Sequence, residues 1–337
     1  MKKRDYPICC IRVSSMVFII LYHLFQYYGV KTHFNVGVYI FLCMSGYLYG
    51  NKKIENWVFF YIRNFIKILL DMYLVLIPFL IIAFFDSDYP LKLESVIKQF
   101  FLIDGQAIGG VCHLWFIPYI LGCYILIPLF YALIDGIKNE RFVFQGFFLL
   151  STMAIIVIIG IGRFNSACII SFFIGMFISR LSECNNTTVY KRILYLVAVL
   201  SVVLQALYDC ILINTEGLEE EAYIFVHVYI LAFVGCALFF FFKDFLSKKF
   251  GKTEKKERKK FAFALLELDK LSYDIYLVHF PLILSKSCCI IDLFDNDVLG
   301  VLFVIVVTLI VAYVVNYTSK MINSIIFCNH DKELQAF

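Results

Sequence analysis

Residues 8–28 read ICCIRVSSMVFIILYHLFQYY, an apolar and aromatic stretch that carries two ionisable side chains, Arg12 and His23. Crossing hydrocarbon takes about 20 apolar residues in helical form. An α-helix advances about 100° and about 1.5 Å per residue. The eleven residues separating Arg12 from His23 therefore turn the chain through about 1100°, three turns plus about 20°. Both side chains fall on one helix face, roughly 16 Å apart along the axis. An ionisable group in hydrocarbon costs at least about 2–3 kcal/mol, so such residues face a protein interior or a watery cavity. Two on one face imply a polar path from the membrane surface toward mid-depth.

The remainder of the chain has the same character. Hydrophobic residues make up 62%, charged residues only 17%, and the mean hydropathy is +0.84. That composition excludes a soluble domain and predicts an all-α fold, a polytopic transmembrane helix bundle forming a single integral-membrane domain over residues 1–337. About ten spans are expected, near 8–28, 34–50, 65–85, 113–134, 144–161, 166–180, 191–213, 223–242, 271–290 and 298–320. The second and sixth are short, and Gly160, Gly162 and Arg163 mark the turn between the fifth and sixth.

With the N-terminus placed in the cytoplasm, the cytoplasmic segments hold 24 of the 30 Lys and Arg residues. The outside segments hold Lys31, Lys92, Lys98, Arg163 and Lys286, and are acidic instead at Asp86, Glu94, Asp104, Glu219–Glu221, Asp292, Asp295 and Asp297. This asymmetry predicts both termini inside. The net charge of +4 is then a topology signal, with no nucleic-acid partner implied. MKKR before an apolar stretch is also how a signal peptide begins, but the stretch is too long, contains Arg12 and has no small-residue cleavage site, so it is read as a span.

The twelve cysteines include no Cys-x-x-Cys pair and mostly lie in apolar runs, where cysteine packs as a small hydrophobe; no disulfide and no metal site are assigned. The sequons at Asn185 and Asn186 fall on the cytoplasmic side, where glycosylation is not expected. Lys243–Lys260 reads as a solvated loop or a surface helix near anionic lipid. Residues 51–67 form an amphipathic cytoplasmic segment in which Arg63 and Lys67, four apart, share a helix face. The outside loop 86–112 ends with Gly105, Gly109 and Gly110 and has the make-up of a lid. No repeated pair of Gly- or Pro-broken spans, the mark of a secondary transporter, is visible.

Neutral imidazole accepts a proton near pH 7 and suits general-base work. Of six histidines, His330 lies in the tail, His33 in a short loop, and His227 in an apolar span where packing is expected. His23, His113 and His279 each sit in a distinctive string, the last two in HLWFIPY and LSYDIYLVHFP. For each, catalysis or binding competes with a helix–helix hydrogen bond. Pro118 and Pro281 follow His113 and His279 closely and predict kinks around a cavity.

Arg12-x10-His23, GVYIFLCMSGY at 37–47, Arg63/Lys67, HLWF at 113–116 and SYDIYLVHFP at 272–281 occur in this order. The set resembles the acyltransferase 3 family, ten-span bacterial membrane O-acyltransferases, over residues 8 to about 320. The resemblance implies a cytoplasmic acyl-CoA donor, usually acetyl-CoA, and a hydroxyl acceptor on a surface glycan or lipid-linked saccharide. It maps the family's basic-x10-His motif onto Arg12 and His23, its basic residues onto Arg63 and Lys67, and its Ser-Gly-aromatic string onto Ser45, Gly46 and Tyr47.

Arg12, Arg63 and Lys67 offer charge-assisted bonds to CoA phosphates. His23 then acts as general base on the acceptor, or as a transient acyl carrier. Ser45 is a candidate oxyanion donor or a helix contact. His113, Trp115, Tyr276 and His279 are candidate acceptor-binding residues, with packing as the alternative for Trp115 and Tyr276. The run KILLDMYL lacks the proline that often follows the family's basic pair. The fused extracytoplasmic hydrolase-like domain of many relatives is not expected here. The chain then acts on its acceptor directly or passes the acyl group to a separate glycan-assembly or transferase protein. Two other classes remain: a transporter of a small polar solute such as an amino acid, and a non-catalytic partner in a glycan-assembly complex.

Overall fold

The computed structural model describes residues 5–86, 91–135, 166–181, 192, 195–196, 199–207, 220–252 and 258–328. Every regular element among them is helical, and no strand occurs. The helices are α1 (Tyr6–Tyr27), α2 (Val36–Gly50), α3 (Trp57–Phe85), α4 (Leu93–Phe100), α5 (Phe116–Asp135), α6 (Ser166–Leu181), α7 (Glu220–Lys252), α8 (Arg258–Leu284) and α9 (Asp297–Cys328). Residues 199–207 are also helical, and 3-10 turns occupy Gly109–Trp115 and Ile291–Leu293.

Among the described residues, five stretches are long and apolar enough to cross a membrane: Tyr6–Tyr27, Trp57–Phe85, Gly109–Tyr131, His227–Lys249 and Asp297–Phe327. Val36–Gly50 and Ser166–Arg180 are shorter apolar helices. Ile77, Ile81, Phe84 and Phe85 on α3, and Val298, Leu302, Val306 and Ile310 on α9, are large and exposed. Rows of exposed apolar side chains on long helices are what lipid-facing surfaces require.

The ends of the helices shift several expected spans. α3 begins at Trp57, so residues 57–67 of the amphipathic segment and the third span are one unbroken helix of 29 residues. Its start is fixed by Asn56, whose side chain accepts from the Phe59 N–H at 2.9 Å, the usual N-cap arrangement. Of the lysine-rich stretch Lys243–Lys260, residues 243–252 extend α7 and residues 258–260 begin α8, as the surface-helix alternative expects, and residues 253–257 lie outside the described residues. α8 stops at Leu284, short of residue 290, three residues after Pro281. Asn296 caps α9, accepting from the N–H groups of Val298 and Leu299. The span expected at 144–161, and about half of that at 191–213, lie outside the described residues.

Backbone contacts divide the chain into two compact units. The first comprises Met1–Ile19, His33–Lys53 and Gly122–Leu266; the second Ile20–Thr32, Ile54–Leu121 and Glu267–Phe337.

The first unit is organised by α2, α6 and α7. Gly46 and Gly175 face each other's helix reciprocally: a Cβ on Gly46 would strike the Phe172 carbonyl, and one on Gly175 the Cys43 carbonyl. Small residues permit such backbone approach, which supplies packing where lipid competes equally for apolar groups. These two short apolar helices thus pack closely, with Leu42, Cys43, Phe172 and Met176 fully enclosed. Asn51 Nδ2 donates to the Ser179 carbonyl at 2.8 Å, and the Tyr131 hydroxyl donates to the carbonyls of Tyr49 and Lys52, tying off their ends.

In the second unit, α3, α8 and α9 are joined by polar bonds. The Ser319 hydroxyl donates to Asp71, Asn316 Nδ2 donates to Asp274 at 2.6 Å, and the Tyr273 hydroxyl donates to the Ile68 carbonyl at 3.1 Å. α4 is tied to α3 by the Tyr73 hydroxyl, which donates to the Phe100 carbonyl at 2.8 Å. Within the following loop, buried Gln99 donates to the Gly105 carbonyl and accepts from the Ile108 N–H. At one end Tyr27 donates to Asp292, beside a small apolar cluster of Ile283, Ile291 and Val304.

Candidate active site

Three histidines from distant parts of the sequence meet in the second unit. α1 supplies His23, the 3-10 turn before α5 supplies His113, and α8 supplies His279. The His279 ring lies 5.3 Å from that of His23 and 5.8 Å from that of His113, centroid to centroid. Phe280 lies between the other two, 4.7 Å from each, stacked on His113 and edge-on to His23. Tyr276 completes the group, 5.4 Å from His113 and 5.9 Å from His279.

Local sequence explains how His113 is held. Proline has no N–H, so Pro281 cannot bond to the carbonyl four residues before it, that of Leu277. His113 Nε2 takes that place, donating to the Leu277 carbonyl at 3.0 Å. The Tyr276 hydroxyl donates to the His113 carbonyl at 2.5 Å, fixing the turn from the other side. His113 does not open the helix as expected: α5 starts at Phe116, and Pro118 falls in its first turn, where a missing N–H costs nothing. Pro118 therefore marks a helix start, not a kink.

His279 Nδ1 donates to the carbonyl of Ile275 on its own helix at 3.1 Å. His23 is half-buried, and its Nδ1 pairs with Gln26 Oε1 at 3.1 Å. An amide oxygen accepts, which puts the proton on Nδ1 and leaves Nε2 as a lone pair. An imidazole in that form is able to take a proton from a hydroxyl that reaches it.

The other expected site residues are distributed differently. Arg12 and Ser45 belong to the first unit. Arg12 is half-buried within electrostatic reach of Tyr124, and Ser45 is buried on α2 beside Gly46. Arg63 and Lys67 are exposed on α3 in the second unit. Lys67, with Lys320, lies within electrostatic reach of Asp71 and Asp274. Trp115 packs at 5.6 Å from Tyr119 and 6.4 Å from Phe116. His227 was expected to pack without a polar partner. Instead it accepts from Gln205 Nε2 at 3.3 Å, with the His33 ring 5.2 Å away.

Sequence reasoning missed Phe280, although it lies in the string at 272–281 beside His279 and Pro281, and the pairs Asp71–Ser319 and Asp274–Asn316. The rule that singled out Arg12 and His23, an ionisable group inside a span, applies equally to Asp71 and Asp274.

The model of the acyltransferase 3 family, described as an acyltransferase domain, matches residues 8–317 of the 337. The chain belongs to the acyltransferase 3 family. Comparison with curated proteins gave no match, and neither did comparison with solved structures. The matched region takes in every helix that carries the histidine cluster, and Arg12, Ser45, Arg63 and Lys67 as well. Membership makes this chain a membrane acyltransferase.

Proposed function

We propose that this acyltransferase moves an acetyl group from cytoplasmic acetyl-CoA to a hydroxyl of a cell-surface or lipid-linked polysaccharide, with His23 as general base. It works as a ten-span domain of the bacterial cytoplasmic membrane with both termini inside. Among the described residues, the observation that carries this reading is a partly buried imidazole, His23, placed beside two fully buried ones. Its Gln26 contact supports an orientation that leaves Nε2 available to a hydroxyl.

In the proposed step His23 Nε2 removes the proton of the acceptor hydroxyl as its oxygen attacks the thioester carbonyl. The C–S bond breaks, and the thiolate that leaves recovers the proton from the imidazolium, giving ester and free CoA. Arg12 supplies charge-assisted bonds to phosphate at the donor side, with Arg63 the second candidate. Lys67 is weaker in that role, because carboxylates already act on its charge. Ser45 is kept as a candidate donor to the oxyanion.

The test is CoA release from acetyl-CoA by the detergent-solubilised protein, given the glycolipid fraction of the source organism's membranes, beside His23→Ala. Loss of a general base costs about 10²–10⁴-fold. A folded His23→Ala protein with near wild-type turnover removes His23 as the base. Uptake of a polar solute without any acyl-CoA dependence would replace the acyltransferase reading itself.

A further inference from the structure

Two ring nitrogens in the histidine cluster have no partner among the described residues: Nδ1 of His113 and Nε2 of His279. Both side chains are enclosed, with 2% and 0% of their surface exposed. Their opposite nitrogens decide the tautomers. A carbonyl oxygen only accepts, so His113 carries its proton on Nε2, facing Leu277, and His279 carries its proton on Nδ1, facing Ile275. In each neutral ring the remaining nitrogen is a bare lone pair. An acceptor buried without a donor is costly, and such orphans call for a partner that completes them.

The surroundings say what kind of donor fits. Phe280 and Tyr276 line both rings, and no carboxylate acts on either one among the described residues. An ammonium group would bring an unpaired charge into this neutral, aromatic setting. A hydroxyl donates a hydrogen bond without one. A metal ion is not indicated either, since no group of described His, Cys, Asp or Glu residues is arranged to hold one.

We propose that His113 Nδ1 and His279 Nε2 form a two-point acceptor for hydroxyl groups of an uncharged polyhydroxyl ligand, seated beside His23. That this ligand is the acceptor substrate rests on the acyl-transfer reading; that it donates hydroxyl protons to these two nitrogens does not. His113 and His279 are binding residues in this scheme, and His23 takes the proton of whichever hydroxyl reacts.

Carboxamide substitutions separate ligand binding from a structural role, because asparagine places its amide near the δ position of the ring and glutamine near the ε position. At 279, glutamine keeps an acceptor where Nε2 stood and gives up the bond to Ile275, while asparagine does the reverse. At 113 the preference inverts: asparagine keeps the ligand-facing acceptor, and glutamine keeps the bond to Leu277. The experiment uses the full chain in detergent and measures thermal stabilisation by the source organism's glycolipid fraction without any acyl donor. CoA release from acetyl-CoA is measured in parallel.

The expected result is a crossed pattern. H279N and H113Q weaken glycolipid binding by roughly tenfold or more, H279Q and H113N by less than about threefold, and the acyl-CoA KM does not follow the pattern. The reverse ranking would show that both histidines only tie helices together, and would overturn the proposal. So would a wild type that the fraction does not stabilise, the result expected if only water occupies the site. If the His113 variants fail to fold, the His279 pair decides alone, because its structural bond stays within one helix. A crossed binding pattern with no CoA release by the wild type would keep the polyhydroxyl site and remove the acyl-transfer reading.

Discussion

Pro281 acts at a distance of one helical turn. By lacking an N–H it releases the Leu277 carbonyl, and His113 is held there. Pro281→Ala restores a competing N–H within α8. The expected outcome is a protein at least as stable as wild type in thermal unfolding, with acceptor turnover lowered roughly tenfold. Unchanged turnover would mean that the His113 bond does not position the site. Arg12 makes a different prediction at this scale. Arg12→Ala should raise the acyl-CoA KM about tenfold or more and leave the acceptor KM alone, with Arg12→Lys intermediate because lysine keeps the charge and loses the fork. An acyl-CoA KM that does not move in Arg12→Ala would end the phosphate-binding role.

Among the described elements, α2 and α6 are short apolar helices whose backbones approach closely. Length alone made them the weakest candidates for spans, yet Gly46 and Gly175 let their backbones meet. Gly46→Leu must displace the Phe172 carbonyl, which belongs to a helix and does not yield as a flexible side chain would. Its expected cost is about 1–3 kcal/mol, read as a lowered Tm in detergent or a lower denaturant midpoint in mixed micelles. A wild-type Tm would show that the two helices slide apart freely. The string that contains Gly46 was singled out for chemistry at Ser45, and the structure gives its glycine a packing reason that a single sequence does not separate from a functional one.

At the scale of the whole molecule, the proposed topology is testable without the chemistry. A fluorescent protein fused after Phe337 should fold and fluoresce on the cytoplasmic side, whereas alkaline phosphatase inserted at Asp295 should be active outside. The reverse pattern would overturn the orientation drawn from lysine and arginine placement. Helical class and membrane residence were legible in composition, because hydrocarbon admits few ways to satisfy a backbone and apolar stretches of span length declare themselves. His23 stood out as a candidate for the same reason: an ionisable group inside a span is expensive, and so conspicuous. The register of Arg12 and His23 on one helix also follows from the sequence alone, as a property of 3.6 residues per turn. Which histidines meet does not. His23, His113 and His279 lie in three segments far apart in the chain, and only their packing around Phe280 decides that His227 and His33 form a separate pair. The tautomers were equally out of reach, since they depend on which carbonyl faces each ring. Local residue choices thus determined the solvent of this protein and the form of its elements. The meeting of the three histidines was decided by tertiary contacts, because convergence of side chains depends on where helices cross and no periodicity along the chain records that.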